Sequence, residues 1–200
     1  MVPQSQDGSY RKQRLFVIEV RKKRERRVCQ GDIFREVDHI ESVAEKDGVF
    51  EVKRIRFPLV IVLTQDCDLV QDYRVRWSRE QPKDQDKMLV SVLVAPLYNV
   101  EHVYTGDHLS LLGMQMQKIN KNRSPGINLR SNQTPRYHFL AFPDDTPIVD
   151  SVIDFKHYFS VSVEKLKTLK KINFVRRIAE LYREDISQRF VSYLSRIGLP

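Results

Sequence analysis

The chain has 200 residues, 41% hydrophobic and 30% charged, with 34 Lys and Arg against 26 Asp and Glu for a net charge of +8. That length and mix fit a folded domain with a real core and exclude global disorder, and no apolar stretch approaches the ~20 residues of a membrane-spanning helix. Two cysteines do not make a disulfide framework, and the polar start from Met1 to Asp7 lacks a secretory signal, so Cys29 and Cys67 read as free thiols of a cytoplasmic protein with no membrane partner.

In chain order, residues 1 to 13 read as a flexible leader, followed by the apolar run Leu15 to Ile18, a short strand. A basic stretch follows, and then Gly31-Asp32-Ile33-Phe34 turns into a second strand. Asp47-Gly48 is a hairpin turn. After it Phe50 and Val52 alternate with Glu51 and Lys53, and Pro58 opens the buried run Leu59 to Leu63. Residues 71 to 87, charged and holding Pro82, read as an exposed connection, and Met88 to Leu97 as a central strand. Asp107 with Leu109, Leu112, Met116 and Ile119 predicts a helix interrupted by Gly113. Residues 120 to 136 are too rich in turn formers for a regular element, and such long loops are usually functional or disordered.

Tyr137 to Phe142 predicts a strand, and the alternation of Ile153, Phe155, His157, Phe159, Val161 and Val163 predicts a longer one with His157 on its apolar face. Phe174, Ile178, Leu181, Ile186, Phe190, Leu194 and Ile197 predict one or two helices closing the chain, capped by Gly198. Strand and helix do not alternate regularly, which argues against a parallel sheet. The expected fold is α+β, a small, strongly bent antiparallel sheet or barrel over residues 14 to 163. It would carry one inserted helix, the basic loop 118 to 136 and a helical segment 164 to 200 packed on the domain or on a partner.

Charge is segregated. Residues 11 to 27 hold nine basic side chains against Glu19 and Glu25, and residues 108 to 143 hold no acid at all. Arg21, Lys22, Lys23, Arg24, Arg26 and Arg27 with Lys118, Lys121, Arg123, Arg130 and Arg136 are therefore the candidate contacts to a polyanion such as nucleic acid. The alternative is a solvated basic face. Tyr73, Arg74 and Trp77 could stack bases or pack at home.

The strand from Leu59 runs into Thr64-Gln65-Asp66-Cys67-Asp68, a cluster of hydroxyl, amide, carboxylates and thiol where a rigid element delivers the chain into a loop. Asp66, Cys67 and Asp68 are the candidate catalytic residues. Two flanking carboxylates oppose a Cys67 thiolate. Asp66 and Asp68, on one side of an extended chain, could hold Mg²⁺ or Mn²⁺ with a third ligand such as Asp32, Asp72 or a histidine. Otherwise the cluster is a turn in which an aspartate binds backbone amides.

Gly31-Asp32-Ile33-Phe34, a long hairpin and Arg56-Phe57-Pro58 with the apolar strand after it resemble the barrel of the MazF and PemK toxins over residues 28 to 97. That family sets an arginine directly before the proline, whereas Phe57 intervenes here. Its later strand ends in a hydroxyl residue that serves RNA cleavage, whereas Ala95-Pro96-Leu97-Tyr98-Asn99 has none. The resemblance therefore implies an RNA-binding barrel more than a ribonuclease. Asp154-Phe155, Tyr182-Arg183-Glu184 and the final Arg196 to Pro200 resemble the ending of uncharacterised bacterial proteins. The expected function is association with nucleic acid, RNA first, in a toxin–antitoxin or phage-defence setting and without a required cofactor. The alternatives are a metal-dependent nuclease or hydrolase using Asp66 and Asp68, and a non-catalytic module that pairs with a protein or with itself through its helical tail. Whether the chain is catalytic is left open by the residues alone.

Overall fold

The computed structural model describes residues 17–78 and 85–196. The expected leader, the cations Arg11, Lys12 and Arg14, and the ends of the apolar runs at Leu15 and Ile197 lie outside the described residues. The strands are β1 (Val20–Arg21), β2 (Asp32–Lys46), β3 (Val49–Val62), β4 (Val92–Asn99), β5 (Tyr137–Leu140), β6 (Ser151–Asp154), β7 (Phe159–Val161) and β8 (Phe174–Ile178). Between them run α1 (Asp66–Arg76), α2 (Val100–Thr105), α3 (Gly126–Arg130), α4 (Val163–Ile172) and, after β8, α5 (Glu180–Leu194). The strands form one antiparallel sheet in the order β1-β8-β2-β3-β4-β6-β5, with β7 also on β4. It is strongly curled into a half-barrel. A bridge from Val17 to Ala141 ties the β1 side to the end of β5, with the Ile18 N–H donating to the Ala141 carbonyl at 2.9 Å. No helix among the described residues is long and apolar enough to cross a membrane.

The hairpin turns where the sequence predicts it. Asp47 and Gly48 have φ of 53° and 77°, the left-handed pair that matches the twist of the flanking strands. Contrary to expectation, β3 runs unbroken through Pro58. Its missing N–H is tolerated because the ladder opens there: Arg35 pairs with Leu59 and Val37 with Phe57, while Glu36, opposite the proline, takes a φ of 53°. Side-chain alternation slips by one at that point. Phe34 and Val37 therefore face the same core cluster, as do Val60 and Phe57.

The core lies on both faces of the curl. Inside, Ile33, Ile61, Leu97, Ile153 and Phe155 meet Ile186 and Phe190 of α5. Outside, Phe34, Val60, Val62 and Val94 meet Leu69 of α1 and Leu166 and Leu169 of α4. Each fully buried Leu or Phe among these is worth about 2 kcal/mol relative to exposure. The aromatic residues of α5 are consumed at home: Phe155 lies 5.4 Å from Phe190 and 6.0 Å from Tyr193 between ring centroids. The inner face of the tail is thus not free for a partner.

Four expectations need correction. The connection from Gln71 is helical for its first part, as α1. The helix expected from Asp107 is a single 3-10 turn, Ser110–Leu112. Gly106 (φ 82°) instead ends α2, and its α-carbon packs so closely on Met116 that a Cβ would sit 2.2 Å from that carbonyl oxygen. The chain from Met114 then runs back along α2, with the Met116 N–H on the Gly106 carbonyl at 2.9 Å, and what looked like helical spacing is a packed loop. The long strand at 153 to 163 is cut by a 3-10 turn over Phe155–His157, where the Asp154 carboxylate accepts from the Lys156 N–H at 3.0 Å. The segment 164 to 200 is not all helix: β8 sits between β1 and β2, so α4, β8 and α5 are integral to the sheet domain.

Candidate functional site

Leu63 and Thr64 carry the chain out of β3 and into α1, whose first turn begins at Asp66. The Asp66 carboxylate receives a two-pronged guanidinium from Arg27 at 2.9 and 2.7 Å and the Gln30 N–H at 3.1 Å. Arg183 of α5 stands 3.6 Å away. Burial would raise its pKa, but these partners outweigh it and hold the carboxyl below the ordinary range. The Gln30 side-chain amide donates to the Leu63 carbonyl at 3.3 Å and to Ser187 Oγ at 2.5 Å. Three distant segments, the basic arm, the β3–α1 junction and α5, are thereby pinned to one carboxylate.

The extended chain on which the metal expectation rested is a helix here. Asp66 and Asp68 lie on a helix, where i and i+2 point to different sides. Asp66 is filled by arginine, Asp32 and Asp72 are buried in ion pairs of their own, and no group of three His, Cys, Asp or Glu among the described residues could hold a metal ion. Cys67 is exposed, its Sγ 3.6 Å from both Gln65 Oε1 and Asp68 Oδ1. Both are acceptors, and no histidine hydrogen-bonds the thiol among the described residues. The carboxylate it donates to, Asp68, disfavours an adjacent thiolate by like charge.

Beneath Asp66 lies a polar knot that sequence reading missed. Lys170 is turned inward from α4 onto Asp32, and the two are 2% and 0% exposed. Asp32 also accepts from the Cys29 N–H at 2.7 Å, and an Arg177 guanidinium nitrogen lies 3.0 Å from the buried Cys29 Sγ. Burial pushes both the Asp32 carboxyl and the Cys29 thiol up, against the pull of Lys170 and Arg177. The signal was available: Val163, Leu166 and Lys170 step by three and four along α4, which puts the lysine on the buried stripe.

The basic residues divide. Arg21 pairs with Glu180, Lys22 with Asp145 and Arg27 with Asp66; Lys121 and Arg130 pair with Glu101, and Arg136 is locked on buried Asp154. Most of the loop cations are thus neutralised by acids, and the loop and the arm do not act as one free cationic patch. The arm does join a different cationic element. Arg24 caps the end of α4, donating to the Lys171 carbonyl at 2.6 Å and that of Lys170 at 3.2 Å. One turn back on the outer side of α4, Lys167 Nζ sits 3.3 Å from the centre of the Trp77 ring and 5.3 Å from that of Tyr73. Burial and the neighbouring charge of Lys171 lower the Lys167 pKa. Exposed Lys23, Arg26, Arg74 and Lys171 have no acidic partner among the described residues. Arm and α1 thus both meet α4, which sets Arg24, Lys167 and Lys171 near two aromatic rings, with exposed Glu164 among them.

On another side, Phe57, Pro58, Leu59, Leu109 and Leu112 wall a cleft of about 410 Å³ that also takes in Tyr98 and His108. Tyr98 OH lies 3.1 Å from His157 Nδ1, which is 3.5 Å from Asp154 Oδ2. Burial raises the Tyr98 pKa and depresses those of His108 and His157, with Asp154 countering it in part for the histidines. His157 is the partly buried, hydrogen-bonded histidine that the sequence predicts, and it reaches this cleft only through Tyr98. The lining is largely apolar, with Arg56 and Asp107 as its charged members.

A comparison of the chain with family models, with curated proteins and with solved structures finds no match.

Proposed function

We propose that this protein is a nucleic-acid-binding module, RNA being the first choice, which binds on the face formed by Lys23 to Arg26, the outer side of α4 and the Tyr73–Trp77 side of α1. The observation that carries this reading is Lys167 seated against the partly exposed rings of Trp77 and Tyr73, with Lys171 one turn further on, neither lysine within ion-pair distance of an acid among the described residues. Unpaired cations follow a phosphate backbone, and rings alongside stack on splayed bases without regard to sequence. The resemblance of residues 28 to 97 to the MazF and PemK barrel points the same way. Catalysis is not part of the proposal, because the Asp68 carboxylate beside Cys67 opposes its thiolate and Asp66 is already satisfied.

The test is fluorescence anisotropy with a short single-stranded RNA over a salt series. Four or five phosphate contacts predict a slope of log K on log salt near −3, at about −0.7 per phosphate. Trp77, the one tryptophan of the chain, should be quenched on binding. Joint Lys167→Glu and Lys171→Glu should weaken binding at least tenfold, as like charge now meets phosphate. Absence of binding at low salt, or binding indifferent to both substitutions and to Trp77, would refute the reading.

A further inference from the structure

The outer part of the β2–β3 hairpin has no body of protein behind it: nearly every residue from Ile40 to Arg54 is exposed on the ribbon. Paired residues share a face, so the register fixes what each side presents. Glu45 pairs with Phe50, Val43 with Val52 and Ile40 with Arg54; these rows lie on one face. The other face carries Lys46 with Val49, Ala44 with Glu51 and Ser42 with Lys53. The first face is therefore an apolar stripe, with Ile40, Val43, Phe50 and Val52 at 59, 58, 69 and 52% exposed. An acid closes it near the tip and an arginine near the base. A lone two-stranded ribbon is marginal in water and an apolar stripe on it marks an interaction surface.

We infer that this stripe is the self-association surface of the protein, two copies stacking their ribbons antiparallel about a two-fold axis through the Val43/Val52 row. The pattern itself selects a second copy. Reversed end for end, it meets itself with apolar rows on apolar rows and with charge signs exchanged. The Glu45/Phe50 row of one copy then lies over the Ile40/Arg54 row of the other, where Arg54 reaches both the Phe50 ring and the Glu45 carboxylate. Stacked sheets sit about 10 Å apart, within reach of these long side chains. The contact is isologous, so each such meeting occurs twice. Arg54 is only loosely held at home, 3.5 Å from Asp38 and 59% exposed.

Sedimentation equilibrium of the full chain over a wide concentration range tests this, with circular dichroism to confirm folding. A reversible monomer–dimer equilibrium is expected. Phe50→Asp should abolish the dimer. Glu45→Arg and Arg54→Glu alone should each weaken it about tenfold, since each replaces two attractions by two repulsions, and together they should restore it. Glu51→Lys on the opposite face should change nothing. A monomer at every concentration overturns the inference, as does a dimer that ignores the ribbon substitutions or a charge exchange no tighter than its single variants. RNA binding on the α4 face is read by anisotropy, so failure of either result leaves the other standing on its own measurement.

Discussion

Replacing Lys170 by methionine is expected to remove about 3–5 kcal/mol of stability, a fall of about 6–20 °C in melting temperature for a chain of this size. The reason is the solvent-free seat of its partner: Asp32 is 0% exposed, and Lys170 is the cation that reaches its carboxylate. Methionine fills much the same volume, so the loss reports the stranded charge rather than a cavity. Adding Asp32→Asn should recover most of it, because a neutral amide removes the charge while still accepting from the Cys29 N–H. Without the lysine the folded pKa of Asp32, already raised by burial, rises further. A carboxyl raised in the fold costs stability increasingly as pH climbs through its folded pKa, so the penalty should be larger at pH 8 than at pH 5. Urea titrations of the single and double variants decide the matter. A single variant within 1 kcal/mol of wild type, or a double no better than the single, would show that the pair is not what holds this corner.

Acid is expected to destabilise the protein through His138 at a pH where carboxylates are still ionised. Burial, with Arg189 nearby, depresses this imidazole to about 3, against about 6.5 when unfolded. Asp185 is 3.9 Å away but too exposed to compensate. The unfolded chain therefore takes up a proton below pH 6.5 that the native state refuses until near pH 3, and stability falls with pH across that window. The share of His138 between pH 7.5 and pH 5 is about 2 kcal/mol. His108 and His157, depressed in the same direction, add to it. His138→Leu should flatten the dependence by that share whatever it does to absolute stability. The Asp66 carboxyl, held low, acts in a separate window, its contribution being lost only as pH falls through its depressed folded value. Unchanged pH slopes in His138→Leu would mean that the ring is hydrated or charged in the fold.

Short-range signals were legible where local chemistry decides. Asp47-Gly48 could hardly be anything but a hairpin turn, since both residues adopt positive φ, and Val60 to Leu63 is buried because nothing in it seeks water. The meaning of Asp66-Cys67-Asp68 was not legible. As a loop it looked like chemistry or a metal pair; as the first turn of α1 it splits the two aspartates, and Arg27, 39 residues away, claims one of them. Phe174 and Ile178 carried helical spacing, yet β2 and β1 made the segment a strand by offering open edges on both sides.

From its own order of residues the chain determined an antiparallel α+β architecture, a long hairpin, two free thiols and a surplus of positive charge, because alternation, turn preference and titration state depend on near neighbours. Tertiary structure alone decided which cations stay free, since an ion pair is set by distance in space. The fold spent Arg27, Lys121, Arg130 and Arg136 on acids from other elements, and left Lys167 packed on the Trp77 ring and exposed Lys171 one turn away without an ion pair among the described residues.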